Sequence, residues 1–341
     1  MATQTAKQWQ MAGFGRDQLR LVEVPVPQPG PHEVLVKVAA VSLNYRDQLT
    51  IANGMGSQLA FPFVPGSDMA GTVAQIGPGV SRVGVGQRVI NTFWTTWLDT
   101  PLPTTPTLGT AFGGPLPGVF SQYLVLHEDH LVNAPETLDD SAASTLTCAG
   151  LTAWFALVNT GHLQAGQTVL VQGSGGVALF AAQLALSHGA QVVLTSASAQ
   201  KRAQAKALGV QHVIDRTQPD WPAAVLAATE GRGVDHAIEL AGGENIKHTL
   251  DALAIGGRIA IIGVFEGFQL EIPTPQMFAR RARIEGIGVG NRKALRELAQ
   301  WIDLKGIKPV IDAEYALADL PAALAHLERG AFGKVVVRMT P

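Results

Sequence analysis

Two periodicities divide the chain. In its first third, apolar residues recur at every second position in short runs: Val34, Val36 and Val38 within Glu33–Val41, then Ala70–Ile76, Gln87–Ile90 and Val119–Val125. Turn punctuation such as Pro25-Val26-Pro27-Gln28-Pro29-Gly30-Pro31 and Gly77-Pro78-Gly79 separates them, the pattern of short strands. From Leu138 the pattern changes to a helix over Ser141–Val158, followed by strands at Gln167–Gln172, Gln191–Ser196, His212–Asp215, Val234–Glu239, Gly257–Ile262 and Ile284–Val289, with helical stretches between them. Such alternation predicts a parallel sheet covered on both faces. The tail returns to mixed structure: helices over Lys293–Leu304 and Leu320–Arg329, then a strand Lys334–Arg338. An α/β domain inserted into a β-rich one is therefore expected. The Thr-, Pro- and Gly-rich stretch Thr95–Pro117 has no periodicity and reads as a long surface loop.

At 341 residues the chain has room for two domains, and its 47% apolar content supplies their cores. Charge is sparse and balanced, at a formal net of −2, which argues against a nucleic-acid partner. No run of about eighteen apolar residues predicts a membrane span. Met1–Lys7 leads into polar sequence without a signal-peptide core, so a cytoplasmic location is expected. Cys148 is the only cysteine, which excludes an intrachain disulfide and any zinc site built on several thiolates.

The most specific motif follows the first strand of the alternating region: Gly173-Ser174-Gly175-Gly176-Val177-Ala178, a Gly-x-Gly-x-x-Ala turn leading into an alanine-rich helix. Gly173 permits the tight turn, Gly175 lets backbone approach a pyrophosphate, and Ala178 allows close helix–strand packing; free N–H groups at the helix start hold the phosphates. A dinucleotide cofactor is the expectation.

Pro65-Gly66-Ser67-Asp68-Met69-Ala70-Gly71, followed by Gly77-Pro78-Gly79-Val80, resembles the N-terminal signature of the medium-chain dehydrogenase/reductase superfamily. Ser42-Leu43-Asn44-Tyr45-Arg46-Asp47, Gly118–Tyr123 and Gly333-Lys334-Val335 fall in the order of that superfamily, so the resemblance spans nearly the whole chain. It implies a Rossmann-type parallel sheet domain inserted into a β-rich GroES-like catalytic domain, with catalytic parts at 1–148 and 289–341 and the cofactor domain at 149–288. It also implies a homodimer. Ser67 stands where zinc members carry a histidine ligand, Asp68 replaces a glutamate, and Asn44 replaces a cysteine ligand. The asparagine resembles the zinc-independent quinone oxidoreductase branch. That branch has a tyrosine five residues after the asparagine, where this chain has Leu49.

A catalytic zinc needs three protein ligands. Asn44 and Ser67 offer a neutral amide and a hydroxyl, and no four-cysteine cluster lies between Asn91 and Pro117, so no zinc is expected. Cys148 reads as a small buried residue, and the His127/His130 pair has no metal-binding pattern. At the end of the second strand of the Rossmann unit, an NAD site usually places an acid; between Gln191 and Ile214 there is none. Ser196, Ser198, Lys201 and Arg202 stand there instead, donors that suit a 2′-phosphate. NADPH is expected over NADH, unless the two cations merely decorate a helix. The resemblance also implies a lysine at the place of Lys201.

Without zinc, hydride addition to a quinone or an α,β-unsaturated carbonyl is the least demanding chemistry, since the acceptor delocalises its own charge. No Tyr-x-x-x-Lys pair is present to serve a simple carbonyl. Asn44 is the candidate for orienting substrate or cofactor, Tyr45 a possible hydrogen-bond donor to a developing oxyanion, and Asp47 the residue that orders their loop; turn or packing roles are the alternatives. Thr152 resembles a threonine near the cofactor. Gly242, Gly243 and Gly263 end the fourth and fifth strands of the sheet, Val264 and Phe265 are placed to line the nicotinamide face, and Trp94 and Trp97 to cap an apolar substrate. An alcohol or carbonyl oxidoreductase and a non-catalytic nucleotide-binding protein are the competing readings.

Overall fold

A computed structural model describes residues 4–103, 107 and 109–339. Part of the expected surface loop, residues 104–106 and 108, and the start of the N-terminal stretch read for a signal peptide lie outside the described residues. The chain forms two compact units, Met1–Leu151 with Gly290–Pro341, and Thr152–Val289.

The first unit opens with β1 (Thr5–Met11), β2 (Leu19–Pro25), β3 (Glu33–Ser42), α1 (Tyr45–Asn53), β4 (Asp68–Ile76), β5 (Arg88–Asn91), β6 (Tyr123–His127), β7 (Leu131–Asn133), α2 (Asp140–Ser144) and the beginning of α3 (Leu151–Trp154). The second unit runs β8 (Thr168–Gln172), α4 (Gly176–Ser187), β9 (Gln191–Ser196), α5 (Ala199–Ala207), β10 (His212–Asp215), α6 (Trp221–Ala228), β11 (Val234–Glu239), α7 (Asn245–Ala252), β12 (Leu253–Ile261), α8 (Thr274–Arg280) and β13 (Arg283–Gly286). The chain then returns to the first unit with α9 (Arg292–Lys305), β14 (Ile311–Ala316), α10 (Leu320–Arg329) and β15 (Lys334–Arg338).

In the first unit a seven-stranded sheet has the order β14-β15-β3-β4-β5-β7, with β6 also paired to β3. Val36, Val38, Met69, Phe120, Val335 and Val337 from its strands and loops fill one core. The second unit holds an all-parallel sheet in the order β10-β9-β8-β11-β12-β13, a doubly wound arrangement whose direction of winding reverses between β8 and β11. Its strands are apolar on both faces because helices cover both, and Leu170, Val193, Ile246, Leu250 and Ile259 share a core. This is the α/β fold expected, with a Rossmann-type sheet and a β-rich GroES-like unit. Among the described residues no helix is long and apolar enough to cross a membrane.

Two elements differ from the sequence pattern. The helix expected over Ser141–Val158 is α2, a π-helical turn (Leu146–Gly150), α3, and a second π-helical turn (Phe155–Asn159). In the first π turn the Cys148 N–H leaves the helical ladder and donates to Asp68 Oδ2 at 3.0 Å, and such a diverted bond opens a helix to a π-bulge. The strand expected over Val119–Val125 begins only at Tyr123, because Val119 and Phe120 give their N–H groups to the Pro65 carbonyl instead of to a ladder.

Candidate active site and cofactor site

In the first unit the residues that replace zinc ligands meet through strand register. Ser42 pairs with Asp68 across β3 and β4, and with Val336 across β3 and β15. The chain just past Ser42 therefore runs between the start of β4 and the start of β15, which brings Asn44, Ser67, Asp68 and Lys334 together. The Lys334 ammonium donates to Asn44 Oδ1 at 2.5 Å and to the Leu43 carbonyl at 2.6 Å. Asn44 Nδ2 donates to Ser67 Oγ at 3.3 Å, and Ser67 Oγ donates to Asp68 Oδ1 at 2.6 Å. Only the oxygen edge of an amide can accept from an ammonium, so Lys334 fixes which way Asn44 points. The acceptor edge of Asn44 is thus engaged by Lys334, and its N–H edge faces Ser67.

Every charged member of this cluster is buried. Burial pulls the Lys334 ammonium down from its ordinary range against the opposing pull of Asp68, and burial pushes the Asp68 carboxyl up against the pull of Lys334. Asp47 caps α1 by accepting the Asn44 N–H at 2.7 Å; burial raises it to about 6, although Arg46 pulls it down. This bond ties the Asn44 end of the loop to the first turn of α1. Cys148 is half-buried, and desolvation of its thiol raises it to about 12. Zinc needs lone pairs from deprotonated ligands. This set offers an amide oxygen facing the Lys334 ammonium, a hydroxyl committed to Asp68 and a single half-buried thiol, a donor set that does not fit the ion. Among the described residues no three His, Cys, Asp or Glu side chains converge on a possible metal position. His127 Nδ1 accepts from the Asp129 N–H at 3.2 Å.

In the second unit the glycine turn lies between β8 and α4. Gly173 has φ 84°, a conformation that requires glycine, and its N–H donates to the Thr195 carbonyl of β9 at 2.7 Å. Gly175 is the N-cap of α4 and exposed; a Cβ built there meets no atom within 4 Å, so the cradle over the helix start is open. Ser174 is buried, Gly176 and Val177 form the first turn of α4, and Ala178 is fully buried against the sheet. At the ends of β11 and β12, Gly242 has φ 72° and bridges Gly267, while a Cβ on Gly263 would strike the Leu240 carbonyl at 1.7 Å. Gly243 is likewise left-handed, with φ 54°. Val264 is half-buried, and the ring of Phe265 is exposed. Thr152 is buried in α3.

At the end of β9 the structure corrects one expectation. Ser196 Oγ accepts from the Ser198 N–H and Ser198 Oγ caps α5 by accepting from the Lys201 N–H, each at 3.3 Å. The Arg202 guanidinium is not held out for a phosphate. Its Nη1 donates to the Ser196 and Ala197 carbonyls at 2.8 and 3.0 Å, and its Nη2 pairs with Asp215 at 2.8 Å. Asp215 lies just outside the acid-free window in sequence, yet β10 places it in register with Ser196. The two tryptophans proposed to cap a substrate are buried instead: the Trp94 ring packs edge-on against Phe93, and Trp97 Nε1 donates to the Thr100 carbonyl. Tyr45 is 43% exposed at the start of α1.

Comparison with known proteins agrees with this architecture. Residues 30–136 match the alcohol dehydrogenase GroES-like domain family and residues 176–303 the zinc-binding dehydrogenase family. A zinc-type alcohol dehydrogenase-like protein of Schizosaccharomyces pombe is 38% identical over 97% of each chain. The quinone oxidoreductase of Rattus norvegicus is 28% identical over 92% of each. A crystal structure from Sinorhizobium meliloti 1021, carrying an alcohol dehydrogenase name, superposes with a TM-score of 0.96 at 48% identity, covering 99% of this chain and 100% of that one. The chain belongs to the medium-chain dehydrogenase/reductase superfamily. It is an oxidoreductase of the NAD(P)-dependent kind that this superfamily contains.

Proposed function

We propose that the protein is a zinc-independent, NADPH-dependent reductase acting on a quinone or an α,β-unsaturated carbonyl. The observation that carries this reading is the Lys334–Asn44–Ser67–Asp68 chain: an ammonium and an amide N–H are set where a zinc enzyme would need lone pairs. The bound dinucleotide would supply hydride. Its pyrophosphate is assigned to the open cradle of Gly173–Val177, and its 2′-phosphate to Lys201 with the Ser196 and Ser198 hydroxyls. Asn44, held by Lys334, donates to the acceptor's carbonyl oxygen and orients it. Reduction of an isolated carbonyl concentrates charge on one oxygen and calls for a Lewis acid or a placed proton donor. A conjugated acceptor spreads that charge, so one neutral donor suffices and solvent supplies the proton.

Consumption of NADPH by the purified protein against a panel of quinones, enones and simple aldehydes tests this. Quinones or enones are expected to turn over well above aldehydes, and Asn44→Ala is expected to lower kcat. A preference for aldehydes would reject the reading. The names of the Schizosaccharomyces pombe and Sinorhizobium meliloti proteins favour a second one, an NAD(P)-dependent alcohol dehydrogenase or carbonyl reductase. Alcohol oxidation that a chelator abolishes and added zinc restores would establish it.

A further inference from the structure

We infer that the Arg202–Asp215 pair is a specificity element of the cofactor site: Asp215 holds the Arg202 charge away from the cofactor and so limits the preference for NADPH over NADH. The inference rests on the reading that residues 196–202 face the adenosine ribose.

The geometry of the pair is that of a brace. Parallel pairing of β9 and β10 sets Asp215 beside Ser196. From α5, Arg202 reaches back over the end of β9, with two N–H groups on the Ser196 and Ala197 carbonyls and a third on Asp215 Oδ2. The opposite oxygen, Asp215 Oδ1, accepts the Thr217 N–H at 3.0 Å and the Thr217 hydroxyl at 2.7 Å, so the carboxylate is anchored from both sides. Those Thr217 bonds, followed by Arg202, hold the Asp215 carboxyl below its ordinary range, and it is ionised at neutral pH.

Two consequences follow for a 2′-phosphate at this strand end. The cation that sequence pattern assigns to the phosphate is offset by a carboxylate beside it, so the pair adds almost no net charge. The guanidinium donors needed for a forked contact are also committed to backbone and carboxylate. Neither matters to NADH, which carries no charge at that position. The side chains of Arg202 and Asp215 are 20% and 30% exposed, so solvent weakens the effect without abolishing it.

Binding of NADPH and NADH by the intact protein, followed by calorimetric titration, tests the inference with four variants whose folding is checked by thermal melting. Asp215→Asn keeps an oxygen for Thr217 and removes only the charge; NADPH affinity is expected to rise about three- to tenfold relative to NADH. Arg202→Met leaves the carboxylate uncompensated, and NADPH is expected to weaken by a similar factor relative to NADH. The double variant Arg202→Met with Asp215→Asn restores the parent's local net charge and returns the ratio to near the parent value. Lys201→Ala is the control for the underlying reading and is expected to weaken NADPH about tenfold or more. If Lys201→Ala acts as expected but Asp215→Asn leaves the ratio unchanged, the inference falls and the NADPH site stands. If Lys201→Ala has no selective effect, both fall.

Discussion

The buried Lys334–Asn44–Ser67–Asp68 cluster and the glycine turn before α4 are both polar sites, yet they are made by opposite means. The turn is made by leaving side chains out: Gly173 takes a left-handed backbone, and the space over Gly175 is open. Its residues are contiguous in sequence. The cluster is made by burying charge, with Asn44, Ser67, Asp68, Cys148 and Lys334 delivered by separate segments of the chain and held by strand register. A third site sharpens the contrast. Glu239 is fully buried at the end of β11, but only neutral groups satisfy it: Gln172 Nε2, Asn245 Nδ2, the Thr249 hydroxyl and the N–H groups of Ala241 and Gly242. Glu239 fixes the Gly242 turn. Asp68 instead ends a chain that runs through the Ser67 hydroxyl and the Asn44 amide to the Lys334 ammonium. A local site works by permission and a distributed one by electrostatic tension.

The largest effect should come from breaking that tension. Lys334→Met leaves Asp68 and the Asn44 oxygen without the ammonium, and loss of one partner from a buried charged set costs about 3–5 kcal/mol. Denaturant unfolding should report a loss of that order; a loss under about 1 kcal/mol would mean that the cluster is not under tension. Gly175→Val is expected to leave the melting temperature near that of the parent, since its Cβ meets nothing and its φ of −80° suits any residue. Affinity for the dinucleotide should nevertheless fall about a hundredfold, because a branched side chain covers the helix N–H groups. Unchanged binding by titration would remove the turn from the cofactor site. Glu239→Gln keeps the shape of the neutral network but turns an acceptor into a donor facing donors, at about 1–3 kcal/mol; a neutral result would show that the network tolerates rearrangement.

The smallest effect is one of pH. Asp47 binds its proton more tightly folded, at about 6, than its ordinary 3.8. Folding is therefore favoured by this group at low pH, and that contribution is lost as pH rises through about 6. Asp47→Asn should flatten the dependence of stability on pH between about 4 and 6, measured by urea unfolding at several pH values. An unchanged slope would assign it to another group, with Asp68 the first to test.

The same contrast explains what the sequence made legible. The α/β fold, the inserted sheet and the glycine turn rest on local periodicity and contiguous motifs, and all can be read along the chain. Lys334 was visible only as part of a terminal motif, because its contact with Asn44 joins residues 290 positions apart and depends on β15 pairing with β3. Asp215 escaped for a related reason: a scan along β9 does not see the neighbouring strand. Trp94 and Trp97 were misplaced because a Pro- and Thr-rich stretch looks exposed, whereas both rings are buried. The Ser141–Val158 pattern was helical as expected, but its first π turn involves Asp68, a tertiary partner that periodicity does not reveal.

The most direct test of the central claim, hydride transfer at a site that an ammonium-held amide organises in place of zinc, is the zinc content of the purified protein measured together with its turnover of NADPH and a quinone or enone before and after chelation. The account predicts well under one zinc per chain and turnover that the chelator leaves unchanged. One zinc per chain, with turnover lost on chelation and regained on adding zinc, would contradict it.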